Sequence, residues 1–216
     1  MALKSAAAAG LALCWLGSIA AAANMFWNYE GTPGASLPAP GRFPVQAAVA
    51  DKLRLARHRD TILLFLHPHC PCSRATLHEL RRIHEDIHRK AAVTILFVKP
   101  PGARRGWCHT FLWRRAKKFR WATVGRDANG RLARIFNART SGQLCLYARN
   151  GRLLFSGGIT GARGHRGPNA GMASVVRLVN SNPGHASRRA SSHAPVFGCS
   201  LFGNVLPNGA PALCHR

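Results

Sequence analysis

Apolar residues recur along the middle of the chain with two spacings, and these predict strands alternating with helices. Residues 62–66 and 93–98 are continuous apolar runs, which is typical of strands buried on both faces of a sheet. Between them, residues 73–90 place apolar side chains at helical spacing. The apolar positions on one side of that predicted helix are Leu77, Leu80, Ile83 and Ile87.

The same patterns continue towards the C-terminus. Helices are predicted over residues 45–58, 106–119, 131–137 and 170–180, and strands over 122–124, 144–147 and 153–155. Asn150-Gly151 lies between the last two strands and favours a tight hairpin turn. A turn is predicted at residues 127–130, and residues 157–167 form a glycine-rich loop.

This order of elements predicts an α/β fold with a central sheet flanked by helices. The chain divides into an N-terminal anchor or signal (1–28), a Pro/Gly linker (29–44), the α/β domain (45–180) and an irregular tail (181–216). Within the tail, residues 196–202 are apolar enough to dock on the domain.

The N-terminal segment has the composition of a transmembrane helix. Residues 5–27 carry no charged side chain, and about 20 apolar residues suffice to cross a bilayer. A cleaved signal peptide is the alternative, with a small-residue site at Ala21-Ala22-Ala23. We favour a retained anchor because the apolar stretch continues through Met25-Phe26-Trp27, with Trp27 and Tyr29 at the interface.

The flanking charges predict which way this helix points. Lys4 and the amino terminus precede it, whereas Glu30 and a stretch without Lys or Arg up to Arg42 follow it. This asymmetry favours an N-terminus inside the cell and a domain outside it. The sequence therefore predicts a single-pass protein of a bacterial inner membrane whose domain faces the oxidising periplasm.

The net charge of +24, from 31 basic and 7 acidic residues, raises the question of a nucleic-acid partner. The arginines are scattered, however, and no aromatic side chains alternate with them as on a base-stacking surface. An arginine-rich composition is also typical of a GC-rich genome. Nucleic acid is therefore not expected to be a partner.

The main chemical signal is Cys70-Pro71-Cys72, at the point where an apolar strand gives way to a helix. A thiol at a helix N-terminus is held closer to its reactive thiolate form. Of the seven cysteines, Cys145 is predicted to be buried in a strand, and Cys199 and Cys214 could pair in the tail. The motif could be a redox pair or a clip for a soft metal.

The segment Phe65-Leu66-His67-Pro68-His69-Cys70-Pro71-Cys72 resembles the active-site segment of thioredoxin-like proteins. The block Thr140-Ser141-Gly142-Gln143 and the later run over residues 151–165 are similar to the RedB-type branch of membrane-anchored bacterial members. Two features depart from the thioredoxin pattern. Ser73 stands where the second cysteine of Cys-x-x-Cys would fall, and no proline lies near Gln143 at the expected cis-proline position.

The resemblance implies a thiol–disulfide oxidoreductase or isomerase that acts on protein partners and needs no cofactor. Cys70 matches the first, exposed cysteine and is expected to attack, and Cys72 is expected to resolve the mixed disulfide. His67 and His69 could lower the thiol pKa or pass protons, and Pro71 restricts the loop. A disulfide across one intervening residue closes a small, strained ring, which favours a labile bond.

Two other functions remain open from the sequence. His67, His69, Cys70 and Cys72 could bind copper or zinc in a metal carrier. The domain could also be catalytically inert and serve only in protein interaction.

A further motif, His84-Glu85-Asp86-Ile87-His88, matches H-E-x-x-H on a predicted helix, which would place both imidazoles on one face. It lacks the downstream third ligand of a zinc protease, and Asp127 is the one carboxylate after Asp86. The same helix must also pack against the sheet. We therefore interpret the motif as a coincidence.

Overall fold

Within the computed structural model, which describes residues 2–44, 53, 55–56, 58–181 and 191–203, six strands form one mixed sheet. The strands are β1 (Asp60–Leu66), β2 (Ala91–Lys99), β3 (Ala122–Ala128), β4 (Gln143–Tyr147), β5 (Leu153–Gly157) and β6 (Ser192–Ala194). The helices are α1 (Ala2–Gly31), α2 (Ser73–Asp86), α3 (Phe111–Lys117), α4 (Arg131–Ile135) and α5 (Ala170–Asn180).

The sheet has the order β3-β2-β1-β4-β5-β6, which places β1 near its centre. Strands β1, β2 and β3 are parallel, and β4 and β5 form an antiparallel hairpin beside β1. Strand β6 adds to β5 in parallel. This is the thioredoxin-like α/β fold that the sequence predicts, and the fold class is confirmed.

Side chains of β1 alternate between two cores, as the period of a strand requires. Ile62, Leu64 and Leu66 face the core that includes α2, α3 and α5. Leu63 and Phe65 face the opposite core, to which α4 contributes. All five side chains are fully buried, so the end of β1 is a rigid base for the segment that follows it.

Several elements differ in extent from their predicted bounds. Helix α2 ends at Asp86 instead of residue 90, because His88 and Arg89 have φ values of 47° and 62° in the left-handed region. Helix α3 begins only at Phe111, where the Thr110 side chain accepts from the backbone N–H of Trp113. Strand β3 is longer than predicted because its pairing with β2 continues through Ala128.

The first compact unit is residues 1–32, which contains α1. Residues Gly10–Gly31 of this helix, with a mean hydropathy of 1.4 over an 18-residue window, are long and apolar enough to cross a membrane. This supports the predicted N-terminal span, which by length and composition could equally be a signal sequence.

The second unit begins at Pro33 and includes the sheet. Residues 29–31 of the predicted linker belong to α1, and from Pro33 onward the linker is part of the second unit: Ala39 is buried, and the Phe43 N–H donates to the Gly151 carbonyl at 2.7 Å. Most of the helix predicted at 45–58 lies outside the described residues. In the tail, β6 is ordered, and the predicted docking of 196–202 is confirmed because residues 196–199 and 201 are buried.

Candidate active site

The candidate site lies in the turn between β1 and α2. Cys72 is the N-cap of α2, and its side chain makes no capping hydrogen bond. The turn closes through the N–H of Ser73, which donates to the Cys70 carbonyl at 3.2 Å. Pro71 is exposed and directly precedes this N-cap, where its ring fixes the backbone φ angle.

Three cysteines form a small buried cluster at this turn. They are Cys70, which is 0% exposed, Cys72 at 9% and Cys199 at 3%. Cys199 comes from the C-terminal tail and is disulfide-bonded, whereas Cys70 and Cys72 are free thiols. The expectation that Cys70 is exposed is wrong, because the tail covers it.

The two thiols of the motif differ in protonation. The pKa of Cys70 is lowered, chiefly because the thiol of Cys72 donates a hydrogen bond to its sulfur. Burial opposes this effect, and donation from the backbone N–H of Cys199 and from Ser73 supports it. The pKa of Cys72 is raised by that same hydrogen bond and by burial. The arrangement therefore favours the thiolate form at Cys70 and the thiol form at Cys72.

A chain of hydroxyl groups leads to the Cys70 sulfur. Ser141 Oγ accepts from the backbone N–H of His67 at 2.8 Å and lies 2.9 Å from Ser73 Oγ. The Ser73 hydroxyl in turn donates to Cys70 and lowers its pKa. With one proton on each hydroxyl, Ser141 donates to Ser73 and Ser73 donates to Cys70, which orients every donor towards the thiolate.

The two histidines make hydrogen bonds that organise the turn. His67 Nδ1 accepts from the backbone N–H of His69 at 3.2 Å, so Nε2 carries the proton of the neutral ring. Burial lowers the pKa of His67 to about 4, and the nearby His69 adds to this effect. His69 Nε2 donates to the Trp107 carbonyl at 3.1 Å, and the two rings lie 4.4 Å apart.

The predicted metal ligands do not converge. Among the described residues, no group of three or more His, Cys, Asp or Glu side chains is arranged to hold a metal ion. His67 and His69 instead make the contacts given above, and their ring centroids lie 5.9 Å apart.

The H-E-x-x-H residues also separate. His84 lies on α2 and stacks on Trp121 at 3.9 Å, whereas His88 lies beyond the end of the helix. The expectation that both imidazoles share one helical face is therefore wrong.

Two of the remaining cysteines lie away from this cluster. Cys145 is buried in β4, as predicted, and burial raises its pKa to about 12. Cys108 is also fully buried, and burial raises its pKa. Neither thiol is prepared for attack on a disulfide. The predicted pairing of Cys199 with Cys214 involves a residue outside the described segments and stays a prediction.

The tail is fixed over the site by backbone hydrogen bonds. The Ser141 N–H donates to the Cys199 carbonyl at 2.8 Å, and the Leu201 N–H donates to the Arg139 carbonyl at 2.8 Å. Thr140 and Ser200 form an antiparallel bridge between these contacts. The tail thus pairs like a short extra strand with the segment that precedes β4.

Two further features allow the close approach of the tail. A Cβ added at Gly198 would overlap the Ser141 carbonyl oxygen, so this position has no room for another residue. Arg163, from the glycine-rich loop, donates to the Gly198 carbonyl, and its charge favours the thiolate form of Cys72. The glycine-rich loop therefore contributes to the site, which the sequence does not predict.

Three contributors to the site were missed in the sequence. Ser141 brings a hydroxyl to the end of β1, and the backbone described contains no cis peptide bond. Cys199 and Arg163 reach the site from distant parts of the chain, so local periodicity does not connect them to Cys70. The apolar run around Cys199 did predict a segment that docks on the domain, but it did not predict that the segment docks at Cys70.

No protein-family model matches the sequence, and no curated protein matches it. Among solved structures, it is similar to an uncharacterized conserved protein from Geobacillus kaustophilus, with a TM-score of 0.54, 16% identity, and 82% of this chain and 94% of that chain covered. A hypothetical protein from Sinorhizobium meliloti 1021 gives a TM-score of 0.48 and 18% identity, with 80% and 93% covered.

The exposed lipoprotein thioredoxin of Streptococcus pneumoniae strain TIGR4 gives a TM-score of 0.42 and 14% identity, with 57% of this chain and 84% of that chain covered. At such identities a likeness concerns the fold alone. The chemistry must therefore be argued from the residues of this chain.

Proposed function

We propose that this chain is a membrane-anchored, thioredoxin-like thiol–disulfide oxidoreductase that acts on protein partners outside the cytoplasm. One observation carries the proposal: Cys70 and Cys72 share a buried hydrogen bond that favours thiolate at Cys70 and thiol at Cys72. An inert scaffold has no need of such an unequal pair. Thiolate is the form of cysteine that attacks disulfides.

The reaction needs no group beyond the two thiols and the partner's disulfide. The Cys70 thiolate attacks one partner sulfur, so a Cys70–partner bond forms, the partner disulfide breaks and its other sulfur leaves as a thiolate. Cys72 then loses its proton and attacks Cys70, which forms the Cys70–Cys72 disulfide and releases the second partner sulfur. Two electrons pass to the partner, and the reverse sequence oxidises it.

The surroundings of Cys72 suit its second role. The charge on Cys70 and its hydrogen bond raise the pKa of Cys72 while Cys70 is a thiolate. Both effects disappear once Cys70 is bonded to a partner. The nearby Arg163 charge then favours deprotonation of Cys72. Cys72 is thus held in reserve until the mixed disulfide has formed.

We assign His67, His69 and Pro71 to positioning this turn. The neutral His67 ring holds the backbone of His69, which in turn contacts Trp107. Pro71 limits the turn to conformations compatible with the start of α2. These three residues shape the loop, whereas Cys70 and Cys72 exchange bonds.

The location is part of the proposal. The apolar helix at Gly10–Gly31 supports a membrane anchor, and the charges around it favour a periplasmic domain in a bacterial inner membrane. The domain divisions at residues 28, 44 and 180, and the RedB-type branch indicated by the sequence motifs, belong to the same proposal. Protease added to spheroplasts should digest the domain, whereas a cytoplasmic domain would be protected.

The test is reduction of insulin by dithiothreitol, catalysed by the full chain in detergent micelles. We expect catalysis by the wild-type chain and none by Cys70→Ser. The control is Cys108→Ser, which changes a buried cysteine outside the motif and should keep the activity. Absence of catalysis, together with a bound copper or zinc ion lost in Cys70→Ser, would overturn the proposal in favour of a metal carrier. Neither catalysis nor a mixed disulfide at Cys70 would indicate an inert domain.

A further inference from the structure

A third cysteine, Cys199, shares the buried cluster with the two cysteines of the motif. Its backbone N–H donates to the Cys70 sulfur and helps to lower the Cys70 pKa, so the two residues are in direct contact. Cys199 is itself disulfide-bonded. A nucleophilic thiolate and a disulfide sulfur therefore belong to the same small cluster on one chain.

The tail presents Cys199 in the manner of a bound peptide. Residues 199–201 pair antiparallel with 139–141 through two backbone hydrogen bonds of 2.8 Å and the Thr140–Ser200 bridge. Strand-like pairing of an extended segment with an exposed backbone edge is a common mode of peptide recognition. Here the segment comes from the same chain, and its cysteine lies at the nucleophile.

The same pairing leaves Cys70 inaccessible from outside. Cys70 is 0% exposed, and the tail is further held by Gly34, whose N–H donates to the Val196 carbonyl at 2.8 Å. Direct attack of Cys70 on an external disulfide therefore requires the tail to be displaced first. The disulfide of Cys199 is already there, so it has the first access to the thiolate.

We propose that Cys199 is a third redox residue, and that its disulfide is the immediate exchange partner of Cys70. The proposal rests on the thiol–disulfide activity proposed above and names the first acceptor of that activity. It assigns a chemical role to the tail, which the sequence indicates only as a docking segment.

The exchange balances within the chain. The Cys70 thiolate attacks the sulfur of Cys199, so a Cys70–Cys199 bond forms, the bond from Cys199 to its present partner breaks and that partner sulfur leaves as a thiolate. Cys72 loses its proton and attacks Cys70, which forms Cys70–Cys72 and releases the Cys199 thiolate. Two electrons move from the motif to the tail, whose two thiols can then reduce an external disulfide, while an external dithiol can reduce the Cys70–Cys72 disulfide.

Cys214 is the expected partner of Cys199 because the sequence predicts that pairing. The two cysteines can be separated for analysis, since chymotrypsin cleaves after Phe202, which lies between them. The same protease cleaves after aromatic and leucine residues on either side of the Cys70 motif. A Cys70–Cys199 and a Cys199–Cys214 disulfide thus give distinct pairs of linked peptides, whereas a Cys70–Cys72 disulfide stays within one peptide that escapes alkylation.

The experiment uses the full chain in detergent micelles with Cys72→Ser, a change that removes the resolving thiol and keeps a hydroxyl donor beside Cys70. The protein is quenched in acid, its free thiols are alkylated, and chymotryptic peptides are mapped without reduction. We expect the Cys70–Cys199 peptide pair as the main disulfide, with one newly alkylated thiol in the tail. The matched control, Cys72→Ser with Cys199→Ser, must lack this pair.

A second measurement keeps the wild-type cysteines and does not depend on a stable variant. Fully reduced protein receives one equivalent of oxidised glutathione, and its disulfides are mapped over time. We expect Cys70–Cys72 and the Cys199 disulfide to interconvert, so that the internally linked Cys70–Cys72 peptide and the linked Cys199 peptide pair are both found at equilibrium. The Cys145 and Cys108 peptides should stay unlinked.

The outcomes separate the two proposals. Both Cys72→Ser proteins are also mapped after incubation with oxidised glutathione. If Cys70 in Cys72→Ser is then linked only to glutathione while Cys199 keeps its original partner, the third-cysteine role is overturned and the oxidoreductase activity stands. If Cys70 is linked to glutathione in neither variant, and is not linked to Cys199 in Cys72→Ser, both proposals fail.

Discussion

The hydroxyl oxygens of Ser73 and Ser141 lie 2.9 Å apart and join the first residue of α2 to the segment before β4. Ser141 also accepts from the N–H of His67, at the end of β1. The end of β1, the start of α2 and the segment before β4 are thus linked by hydrogen bonds next to the Cys70 sulfur. The Cys70 thiolate is stabilised by the fold as a whole as well as by the start of a helix.

Removal of either hydroxyl should raise the pKa of Cys70. Ser73→Ala removes a direct donor and should raise it by about 1, because a hydrogen bond to the charged form favours that form. Ser141→Ala acts through Ser73 and should have a smaller effect. Ultraviolet absorbance of the thiolate, read against Cys70→Ser, gives the titration. The control is Ser156→Ala, a buried serine in β5. A larger shift in Ser141→Ala than in Ser73→Ala would contradict this order.

Cys72 should lower the pKa of Cys70 because it donates a hydrogen bond, so another donor at this position should have a similar effect. Cys72→Ala removes the hydrogen bond that contributes most to the lowered Cys70 pKa and should raise that pKa by about 1 to 2. Cys72→Ser keeps a donor of similar length and should change it less. The same absorbance titration compares the two variants. Equal shifts in both would mean that the hydrogen bond is not the cause.

His67 should make the fold sensitive to mild acid. Its pKa is about 4 in the folded protein and 6.5 ordinarily, so the unfolded chain binds its proton more tightly. Its contribution to stability is complete above pH 6.5 and is lost as the pH falls towards 4, to the extent of about 3 kcal/mol. Urea unfolding of wild type and His67→Asn between pH 7 and 4 measures this. His67→Asn keeps an acceptor near the His69 N–H and should lose less unfolding free energy than wild type between pH 7 and 4. If stability falls equally with pH in both proteins, His67 is not the source of the acid sensitivity.

Displacement of the tail should expose Cys70. Gly198→Val introduces a Cβ where the Ser141 carbonyl lies, so the tail cannot keep its pairing. Alkylation of Cys70 by iodoacetamide should become at least about tenfold faster, with unchanged circular dichroism. Gly161→Ala is a suitable control, because its Cβ would meet the nearest heavy atom at an ordinary 3.8 Å. Equal alkylation rates in wild type and Gly198→Val would show that the tail does not limit access.

The N-terminal helix should remain on the mature protein. The segment Gly10–Gly31 is long enough to span a bilayer, so the full chain should sediment with membranes and resist extraction by carbonate. A variant that begins at Pro33 should be recovered in the soluble fraction. Mass spectrometry of the membrane-bound protein checks the N-terminus. A mature chain that starts just after Ala23 would show a cleaved signal instead.

The central sheet was predictable because its signals are local. Continuous apolar runs marked β1 and β2, and Asn150-Gly151 marked the hairpin of β4 and β5. The end of α2 was not predictable in this way. His88 and Arg89 adopt left-handed φ values, and neither residue type signals such a conformation in the sequence. Because α2 ends before His88, the two histidines of the H-E-x-x-H motif do not lie on one helix.

The position of the site was predictable, and its inner contacts were not. A cysteine motif where a strand ends and a helix begins indicates reactive thiols wherever it occurs. The covering of Cys70 by Cys199, and the links through Ser141 and Arg163, depend on chain segments that meet only after folding. Such long-range contacts leave no periodic pattern in the sequence.

The tail that covers Cys70 is also the last part of the domain to be synthesised. Ribosomes add residues from the N-terminus at about 5–20 per second, so the motif emerges well before Cys199. During that interval Cys70 lacks its cover and one of its backbone donors. The nascent chain therefore passes through a stage in which Cys70 is open to oxidants and oxidoreductases, and this stage ends once the tail has been synthesised and has docked.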